Sequence, residues 1–582
     1  MSKTLSNKMV ERDDWQLIPW KKLERQVFRL QKRIYNAVKQ GDLRSVHKLQ
    51  KLLLKSAAAR YLAVRKVTQD NRGKKTAGVD GVKDLKNNDR LELAKNLKLD
   101  GKSKPVKRIL IPKPGTKEKR PLGIPTIRDR AKQAIAKLVL EPQWEALFEA
   151  NSYGFRPGRN PQDAIAAIYS DIRACSYYVL DADIEKCFDK ISHQKLLEKA
   201  NTFPSLRRQI KAWLKAGVVG KDGFENINSG TPQGGVISPL LANIALHGLK
   251  EELERVFPNR YTNKELAEKY GVKRDINFPS PILYRYADDL VILHKSKKLI
   301  EECQKVVNDW LGEIGLNLKD SKTRIAHTLG DDEIKGGFDF LSFNIRQYKV
   351  KPEHGSKDKK GNLNGFKTLI KPTKEAVKRH TRSIHEIVDS MRNAPQKELI
   401  NRLNPIIRGW CNYYSSVVSS RIFSSIDTVV FSILRKWANY RSPMEGTKGN
   451  MAKYWSIDQD GTWTYKTDSL NVLVRHCNTK INYRIRLKGE KSPFDGDWAY
   501  WGARLSQYSH MSATFGALLK KQKAKCTECN HTFTDRDVVE IDHIIPTSQG
   551  GKDVIINKQL LHGHCHDKKS AREAPQSVKP LF

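Results

Sequence analysis

The chain has 582 residues, enough for several domains, and carries 106 Lys and Arg against 64 Asp and Glu, a formal net charge of +42. That excess is far beyond what solubility needs and is the electrostatic footprint of a polyanionic partner. No uninterrupted apolar run approaches about 18 residues, the start Met1-Ser2-Lys3-Thr4-Leu5 lacks a signal-peptide core, and the eight cysteines form no disulfide framework, so no membrane partner and a reducing interior are expected. In chain order, Leu23, Val27, Leu30, Ile34 and Val38 recur at steps of three and four and predict a helix with a core-facing stripe. Leu43, Val46, Leu49, Leu52 and Leu53 predict a second, and both helices are rich in Lys and Arg on their other faces. Gly73 through Gly81 reads as a glycine-rich joint. Tyr177 through Asp183 is an aromatic and β-branched run, a strand ending in acids. Ile282-Leu283-Tyr284 and Leu290-Val291-Ile292-Leu293 flank a short polar break and predict a hairpin. After a polar break at Lys357 through Gly365, residues 366 to about 450 read as helices. Val377, Ile384, Ile387, Val388 and Met391 make one apolar face, and Leu399, Ile400, Leu403, Ile406 and Ile407 the next. This stretch holds 15 Lys and Arg against 6 Asp and Glu, and Trp410, Tyr413 and Tyr414 interleave with it, which fits RNA backbone contact and base stacking better than a plain solvated bundle.

The most informative tetrapeptide is Tyr286-Ala287-Asp288-Asp289, in the polar break of the predicted hairpin. Two adjacent carboxylates at a tight turn cannot both ionise cheaply without a cation. They suit Mg²⁺, which binds through a few carboxylate oxygens and keeps sites for substrate phosphates. Upstream, period two places Asp181 and Asp183 on one strand face. A two-metal nucleotidyl-transfer site needs carboxylates from separate strands to clamp two cations about 3.5–4 Å apart. Asp183 with Asp288 and Asp289 supplies that set, and Asp181 and Asp189 read as strand-end or helix-cap acids.

These segments occur in an order that resembles the reverse transcriptase/maturase proteins encoded inside bacterial and organellar group II introns. The matching stretches are Ile111-Pro112-Lys113-Pro114-Gly115 through Arg120-Pro121-Leu122-Gly123-Ile124-Pro125-Thr126, then Tyr153-Gly154-Phe155-Arg156-Pro157, then Asp183 through Asp189. Thr231-Pro232-Gln233-Gly234-Gly235 through Asn243 follows, then Tyr286 through Asp289, Gly315-Leu316-Asn317-Leu318 with Lys322-Thr323, and Phe340-Leu341. Ser342 departs from the Gly usual after Phe-Leu. The resemblance implies that Asp183, Asp288 and Asp289 bind two Mg²⁺, and that Lys113 and Arg120 grip the triphosphate, Arg as a bidentate fork and Lys as a point charge. It implies that Phe188 is a steric gate against the ribose 2′-OH and that Gln233 backs the incoming nucleotide. Gly234-Gly235 would let backbone approach the substrate closely. It also implies that the N-terminal extension and the basic helices bind intron RNA.

The tail carries a second pattern. Cys526 and Cys529, then His562 and Cys565, form two ligand pairs with zinc-knuckle spacing, and four such ligands close a structural Zn²⁺ site; His564 is a competing ligand. With Glu540-Ile541-Asp542-His543, Gly550-Gly551, Asn557 and His566, this segment resembles the HNH endonuclease module, a ββα-metal fold. The resemblance implies that His543 is the general base that activates water, that Asp542 and His566 hold one divalent ion at the scissile phosphate, and that Asn557 orients the loop or His543.

The reading is therefore a multidomain α+β protein. A right-hand polymerase with fingers, palm and helical thumb is joined to a DNA-binding region and a small zinc-containing HNH domain. The expected boundaries are 1–75 for the N-terminal RNA-binding extension, 76–365 for fingers and palm, 366–455 for the thumb or maturase domain, 456–515 for the DNA-binding region and 516–582 for the nuclease. Expected partners are group II intron RNA, a target DNA duplex and primer, and dNTPs. The expected location is the cytoplasm or organellar interior, within a ribonucleoprotein. A binding-only maturase would not need the acids, and a free nuclease would not need the first 500 residues.

Overall fold

The structure is a computed structural model that describes residues 15–112, 118–259, 268, 279–355, 357, 361–457, 461–507, 513–533 and 537–573. Helices α1 (Trp20–Lys39), α2 (Leu43–Lys55) and α3 (Ala57–Arg65) open the chain. The stripe of α1 buries Leu23, Val27 and Ile34, and that of α2 buries Val46, Leu49 and Leu53. Asp42 caps α2 by accepting from Ser45 N at 2.9 Å, which satisfies one of the orphan amides of the first turn. Leu43 and Leu52 do not join the core as the sequence suggested; they are 54% and 53% exposed. Leu43 is the first residue of its helix, and Leu52 lies one step, about 100°, off the buried row that ends at Leu53.

Strands β1 (Val106–Pro112) and β2 (Lys119–Ile124) form an antiparallel ribbon. Helix α4 (Ile127–Leu147), capped by Thr126, follows it and is buried along nearly its whole length against the N-terminal helices. Gly78 in the predicted joint earns its residue type here, because a Cβ would lie 2.8 Å from the Thr126 backbone. Helix α5 (Pro161–Ile172) leads into β3 (Tyr178–Asp183). Strands β4 (Val218–Gly220) and β5 (Gly223–Glu225) extend the first ribbon in the order β2-β1-β4-β5. After α6 (Ser238–Ala245) come β6 (Ile282–Tyr286), β7 (Asp289–His294), α7 (Lys297–Glu313) and β8 (Arg324–His327). These strands make an antiparallel sheet in the order β6-β7-β3-β8. Alternation divides its side chains between two cores. Val179, Val291 and Leu293 pack with α5, whereas Leu180, Ala182, Leu290 and Ile292 pack with α7.

Strands β9 (Phe338–Phe340), β10 (Phe343–Lys349) and β11 (Phe366–Pro372) form a third sheet. Residues 366–372 are therefore a strand and not the start of the helical stretch. Their Phe366, Thr368 and Ile370 alternate inward, a period-two signal that the longer helical pattern downstream masked. Helices begin at α8 (Lys374–Ser390) and continue through α9 (Gln396–Tyr414) and α10 (Ser420–Arg441). A buried polar chain joins this layer to the segment behind it. His380 Nε2 lies 2.9 Å from His476 Nε2, and His476 Nδ1 lies 2.6 Å from Asp427 Oδ1. Further on, Arg484 and Arg504 both reach Asp163 on α5, at 2.9 and 2.5 Å, and Arg486 reaches Asp171 at 2.6 Å. The tail is a small ββα unit of β12 (Val539–His543), β13 (Lys558–His562) and α11 (Gly563–Glu573), with its own core around Phe515, Leu519, Phe533 and Leu560. Among the described residues no helix is long and apolar enough to cross a membrane, and all eight cysteines are free.

Between β9 and β10, Leu341 and Ser342 take φ of 51° and 65°, a left-handed conformation that costs an L-residue about 1–2 kcal/mol. Tyr413 Oη donates to Leu341 O at 2.9 Å and Thr373 N to Ser342 O at 3.1 Å, which holds the turn in place. Ser342→Gly is expected to stabilise the protein by about 1 kcal/mol, raising the thermal midpoint by about 2 °C. Calorimetry checks this. A lower midpoint would mean that the 3.4 Å contact from Arg379 Nη2 to Ser342 Oγ outweighs the backbone strain.

Candidate active sites and metal centre

Strands β6 and β7 form the predicted hairpin, with Ala287-Asp288 as its two-residue turn. Ala287 has φ of 58°, the left-handed geometry that a two-residue turn needs to match strand twist. Because β7 pairs with β3, Asp289 stands directly opposite Asp183, and Ile184 N donates to Asp288 O at 3.2 Å. The register thus gathers the three predicted acids from two strands and a turn. Burial pushes the Asp288 carboxyl above its ordinary pKa, with repulsion from Asp183 adding to it. Burial and the charges of Asp288 and Asp183 push Asp289 up to about 7. Such a cluster is complete only with cations, so the residues fit the expected metal. Lys322 supplies one positive charge already, 2.5 Å from Asp183 Oδ2, and that hydrogen bond raises its own pKa. Asp181 is separate, paired with Arg324 at 2.9 Å.

These acids sit in a cavity of about 1100 Å³ that is also lined by Arg120, Phe188, Asp189, Gln233 and Lys322. Arg120 comes from β2, opposite Ile111; Lys113 lies outside the described residues. Phe188 follows β3 on a short helix, Cys187–Lys190, and its ring meets Phe155 edge-on at 6.2 Å. Thr231 N donates to Phe188 O at 2.6 Å and Gly123 N to Gln233 O at 2.6 Å, so the Pro-Gln-Gly loop is fastened to both walls. Gly234 departs from its expected role. Its φ is 114°, and a Cβ would lie 2.5 Å from Gly123 O, so it makes room for another strand of the protein. The sequence places Lys322 in a motif but shows no role for it, because only the folded register brings it to Asp183.

In the tail, Cys526, Cys529, His562 and Cys565 are all buried and present ligand atoms within 4.8 Å of one another. Hydrogen bonds from Cys529 and Cys565 hold Cys526 well below the usual thiol pKa. Burial opposes charge on His562, but hydrogen bonds with Asp537, Cys526 and Cys529 outweigh it and push its pKa up to about 12. Three thiols and an imidazole crowded this closely suit a cation, which would take the thiolates and the neutral imidazole as ligands, and the set fits zinc. His562 turns Nδ1 toward Cys529 at 3.2 Å and Nε2 toward Asp537 at 3.5 Å, the arrangement by which an outer carboxylate orients a ligating imidazole. Asp537 carried no spacing signal. His564, the competing ligand, points away to Arg65, 2.9 Å from its Nη2.

On the other side of α11, His566 Nε2 lies 3.8 Å from Asp542 Oδ1, and its Nδ1 lies 2.9 Å from Glu540 Oε2. Lys569 Nζ reaches Asp542 Oδ2 at 2.8 Å and the His543 carbonyl at 2.5 Å. His543 Nε2 lies 2.8 Å from Asp553 Oδ1, which orients the ring and leaves Nδ1 as the acceptor when Nε2 carries the proton. Of its two expected roles Asn557 takes the loop. It accepts from Ile545 N at 2.9 Å and donates to Ile545 O at 3.0 Å and Lys552 O at 2.9 Å.

Four families match successive parts of the chain. Residues 15–97 match the N-terminal domain of reverse transcriptase and 111–349 match reverse transcriptase (RNA-dependent DNA polymerase). Residues 377–455 match the group II intron maturase-specific domain and 526–572 match HNH endonuclease. The group II intron-encoded protein LtrA of Lactococcus lactis subsp. cremoris is 28% identical over 516 residues, covering 76% of this chain and 80% of LtrA. Protein YkfC of Escherichia coli (strain K12) is 32% identical over 327 residues, covering 51% of this chain and 83% of YkfC. An uncharacterized 91 kDa protein in a cob intron of Schizosaccharomyces pombe is 28% identical over 489 residues, covering 76% of this chain and 58% of that protein.

The raised carboxyl groups set a pH dependence for cation binding. A proton on Asp289 competes with a metal, and that competition ends as pH rises through about 7. Affinity for Mg²⁺ at this site should therefore increase from pH 6 to pH 8, by roughly tenfold per pH unit at the low end, where one proton must leave. Calorimetric titration with Mg²⁺ at several pH values checks it; a flat profile would show Asp289 already ionised.

Proposed function

The chain belongs to the family of group II intron-encoded reverse transcriptase/maturase proteins with a C-terminal HNH endonuclease domain, and from that membership we propose which residues carry each activity. It is an RNA-directed DNA polymerase that binds its intron RNA to promote splicing and nicks target DNA for target-primed reverse transcription. The finer assignment divides it into an N-terminal RNA-binding extension (1–75), fingers and palm (76–365), a thumb or maturase domain (366–455), a DNA-binding region (456–515) and the nuclease (516–582).

The polymerase reading is carried by one observation: Asp183 and Asp289 face each other in register inside a cavity that also holds Asp288, Arg120, Phe188 and Gln233. Asp183, Asp288 and Asp289 would hold two Mg²⁺, which when bound activate the primer 3′-oxygen and stabilise the leaving pyrophosphate. Arg120, which lines the cavity, and Lys113 grip the triphosphate. Phe188 occupies the space beside the sugar and rejects a 2′-hydroxyl. Gln233, its loop tied to β2, backs the nucleotide. Splicing rests on the basic helices α8 to α10, whose exposed cations meet the RNA backbone. In the nuclease, Cys526, Cys529, His562 and Cys565 would hold structural Zn²⁺, and Asp542 with His566 would hold one divalent ion that neutralises charge at the scissile phosphate. His543, oriented by Asp553, takes the proton from water, and Asn557 fixes the loop that follows it.

Asp288→Asn should abolish primer extension on an RNA template while intron RNA binding stays near wild type; synthesis at the normal rate would sink the triad. Phe188→Ala should raise incorporation of ribonucleotides relative to deoxynucleotides by at least about tenfold, the discrimination of one lost steric contact. An unchanged ratio in a folded variant would put the gate elsewhere. Cys529→Ser should lose zinc and DNA nicking, because the tail is too small to fold on its apolar core alone. His543→Ala should keep zinc and lose nicking, and both should extend a supplied primer. Metal analysis, a nicking assay on a target duplex and an extension assay separate these outcomes, and normal nicking by His543→Ala would refute the nuclease assignment.

A further inference from the structure

Arg285 lies within Tyr284-Arg285-Tyr286, on the strand that enters the acidic turn, and period two sends its side chain to the face opposite its two tyrosine neighbours. It is 2% exposed and the largest fully buried side chain among the described residues. An apolar residue would fill this position without removing a charge from water, and a buried ion pair is weak support for stability. The compensation it receives is also incomplete. Nη1 donates to Asn243 Oδ1 at 3.0 Å and Nη2 lies 3.5 Å from Glu149 Oε2, but Nε and Nη2 make no hydrogen bond. Glu149 is itself buried, with Gly248 N donating to its Oε1 at 2.8 Å. Glu149, His247 and Glu251 have the spacing of a metal site, yet the guanidinium of Arg285 already occupies the cationic role beside Glu149.

What this group holds is backbone. Arg285 N donates to Asn151 O at 3.0 Å, and Tyr153 N donates to Arg285 O at 2.9 Å, so residues 151–153 run beside β6. Asn243, on α6, binds both sides of that junction: its Oδ1 accepts from Arg285 and its Nδ2 donates to Gly154 O at 2.8 Å. Gly154 in turn packs onto the acidic turn so closely that a Cβ would lie 2.3 Å from Ala287 N. The turn that carries Asp288 therefore rests on Gly154, and Gly154 and Arg285 are both fixed by one amide.

We propose that Arg285, braced by Glu149 and Asn243, is a positioning residue that fixes the Ala287-Asp288 turn and keeps Asp288 and Asp289 facing Asp183 before any cation arrives. The inference rests on the reading of those three acids as metal ligands. Carboxylates repel one another, and an unbraced turn would relax until the acids parted; cation binding would then have to draw them back. Residues that orient metal ligands from behind typically change metal affinity 10–100-fold when removed.

The test uses the full-length protein carrying Asp542→Asn, which removes the nuclease ion site. Asn243→Ala, Arg285→Lys and the charge-removing double variant Glu149→Gln/Arg285→Met are compared with Asp288→Asn. Mn²⁺ binding is measured by paramagnetic resonance, and the Mg²⁺ concentration for half-maximal primer extension is measured beside it. Asn243→Ala and the double variant should weaken Mn²⁺ binding about tenfold and raise the Mg²⁺ requirement to match. The KM for dNTP at saturating Mg²⁺ and the thermal midpoint should stay near wild type, and Arg285→Lys should recover part of the loss. Wild-type Mn²⁺ affinity in folded Asn243→Ala overturns the bracing role, as does a lowered thermal midpoint with unchanged Mn²⁺ affinity. Should the double variant fail to fold, Asn243→Ala decides alone. If Asp288→Asn itself binds Mn²⁺ and extends primers normally, the metal-ligand reading falls instead.

Discussion

The pairing of β3 with β7 is the constraint on which the rest of this protein depends. A slip of one residue would turn Asp183 away from Asp289 and exchange the contents of the two cores on either side of the sheet. Those cores prevent the slip. Val179, Val291 and Leu293 fit only against α5, and Leu180, Leu290 and Ile292 only against α7. Apolar packing, which is non-directional, thereby fixes a directional arrangement of charges that repel one another. The carboxyl groups gain nothing for the fold by being together, and burial raises the pKa of Asp288 and Asp289 as a result. A fold that tolerates this arrangement suits a cation among those acids.

The net charge of +42 does not translate evenly into nucleic-acid contact. Arg484, Arg486 and Arg504, in the region expected to bind DNA, are engaged with Asp163 and Asp171 on α5. Arg156 pairs with Glu145 at 2.9 Å in the interior, and Arg285 is buried beside Glu149. These arginines join distant segments and shape the polymerase core. The cations free to meet a phosphate backbone are those on the outer faces of the helices and in the open cavity. Charge counting thus finds the class of partner, and only the fold separates the cations that reach it from those that do not.

The sequence made legible those features whose signal is local. The hairpin followed from two β-prone runs around a break, the helical stripes from their period, and the clustering of Cys526, Cys529, His562 and Cys565 from two short spacings. What it hid depends on contact between distant segments. Lys322 meets Asp183 across 139 positions, and Asp537 meets His562 only because β13 folds back beside β12. The strand at 366–372 was lost because a strong period-3.6 pattern begins just after it. Leu43 and Leu52 show the opposite failure, apolar residues near a stripe that the layer beneath does not cover. Gly234 was read as space for a substrate because a glycine reports only that something comes close, not what.

The tail shows how few residues a second chemistry needs when a helix distributes them. Four consecutive residues of α11 point to three different surroundings. His564 meets Arg65, and Cys565 joins the metal cluster. His566 faces Asp542, and Asp567 accepts from Gln69 Nε2 at 3.1 Å. At about 100° per residue, this sequence cannot be arranged otherwise on one helix. The docking face, the Cys and His cluster and the pairing of His566 with Asp542 are therefore rigidly related, each separated from the next by a fixed turn. The small core around Phe515 and Leu560 is too slight to hold such a helix firmly by itself. The cluster of Cys526, Cys529, His562 and Cys565 anchors its first turn from within, and Arg65, itself held by Glu24 at 3.0 Å, anchors the same turn from the polymerase side. Disturbing the cluster of Cys526, Cys529, His562 and Cys565 would thus loosen the rest of the tail and its attachment together, because both hang on the same turn of helix.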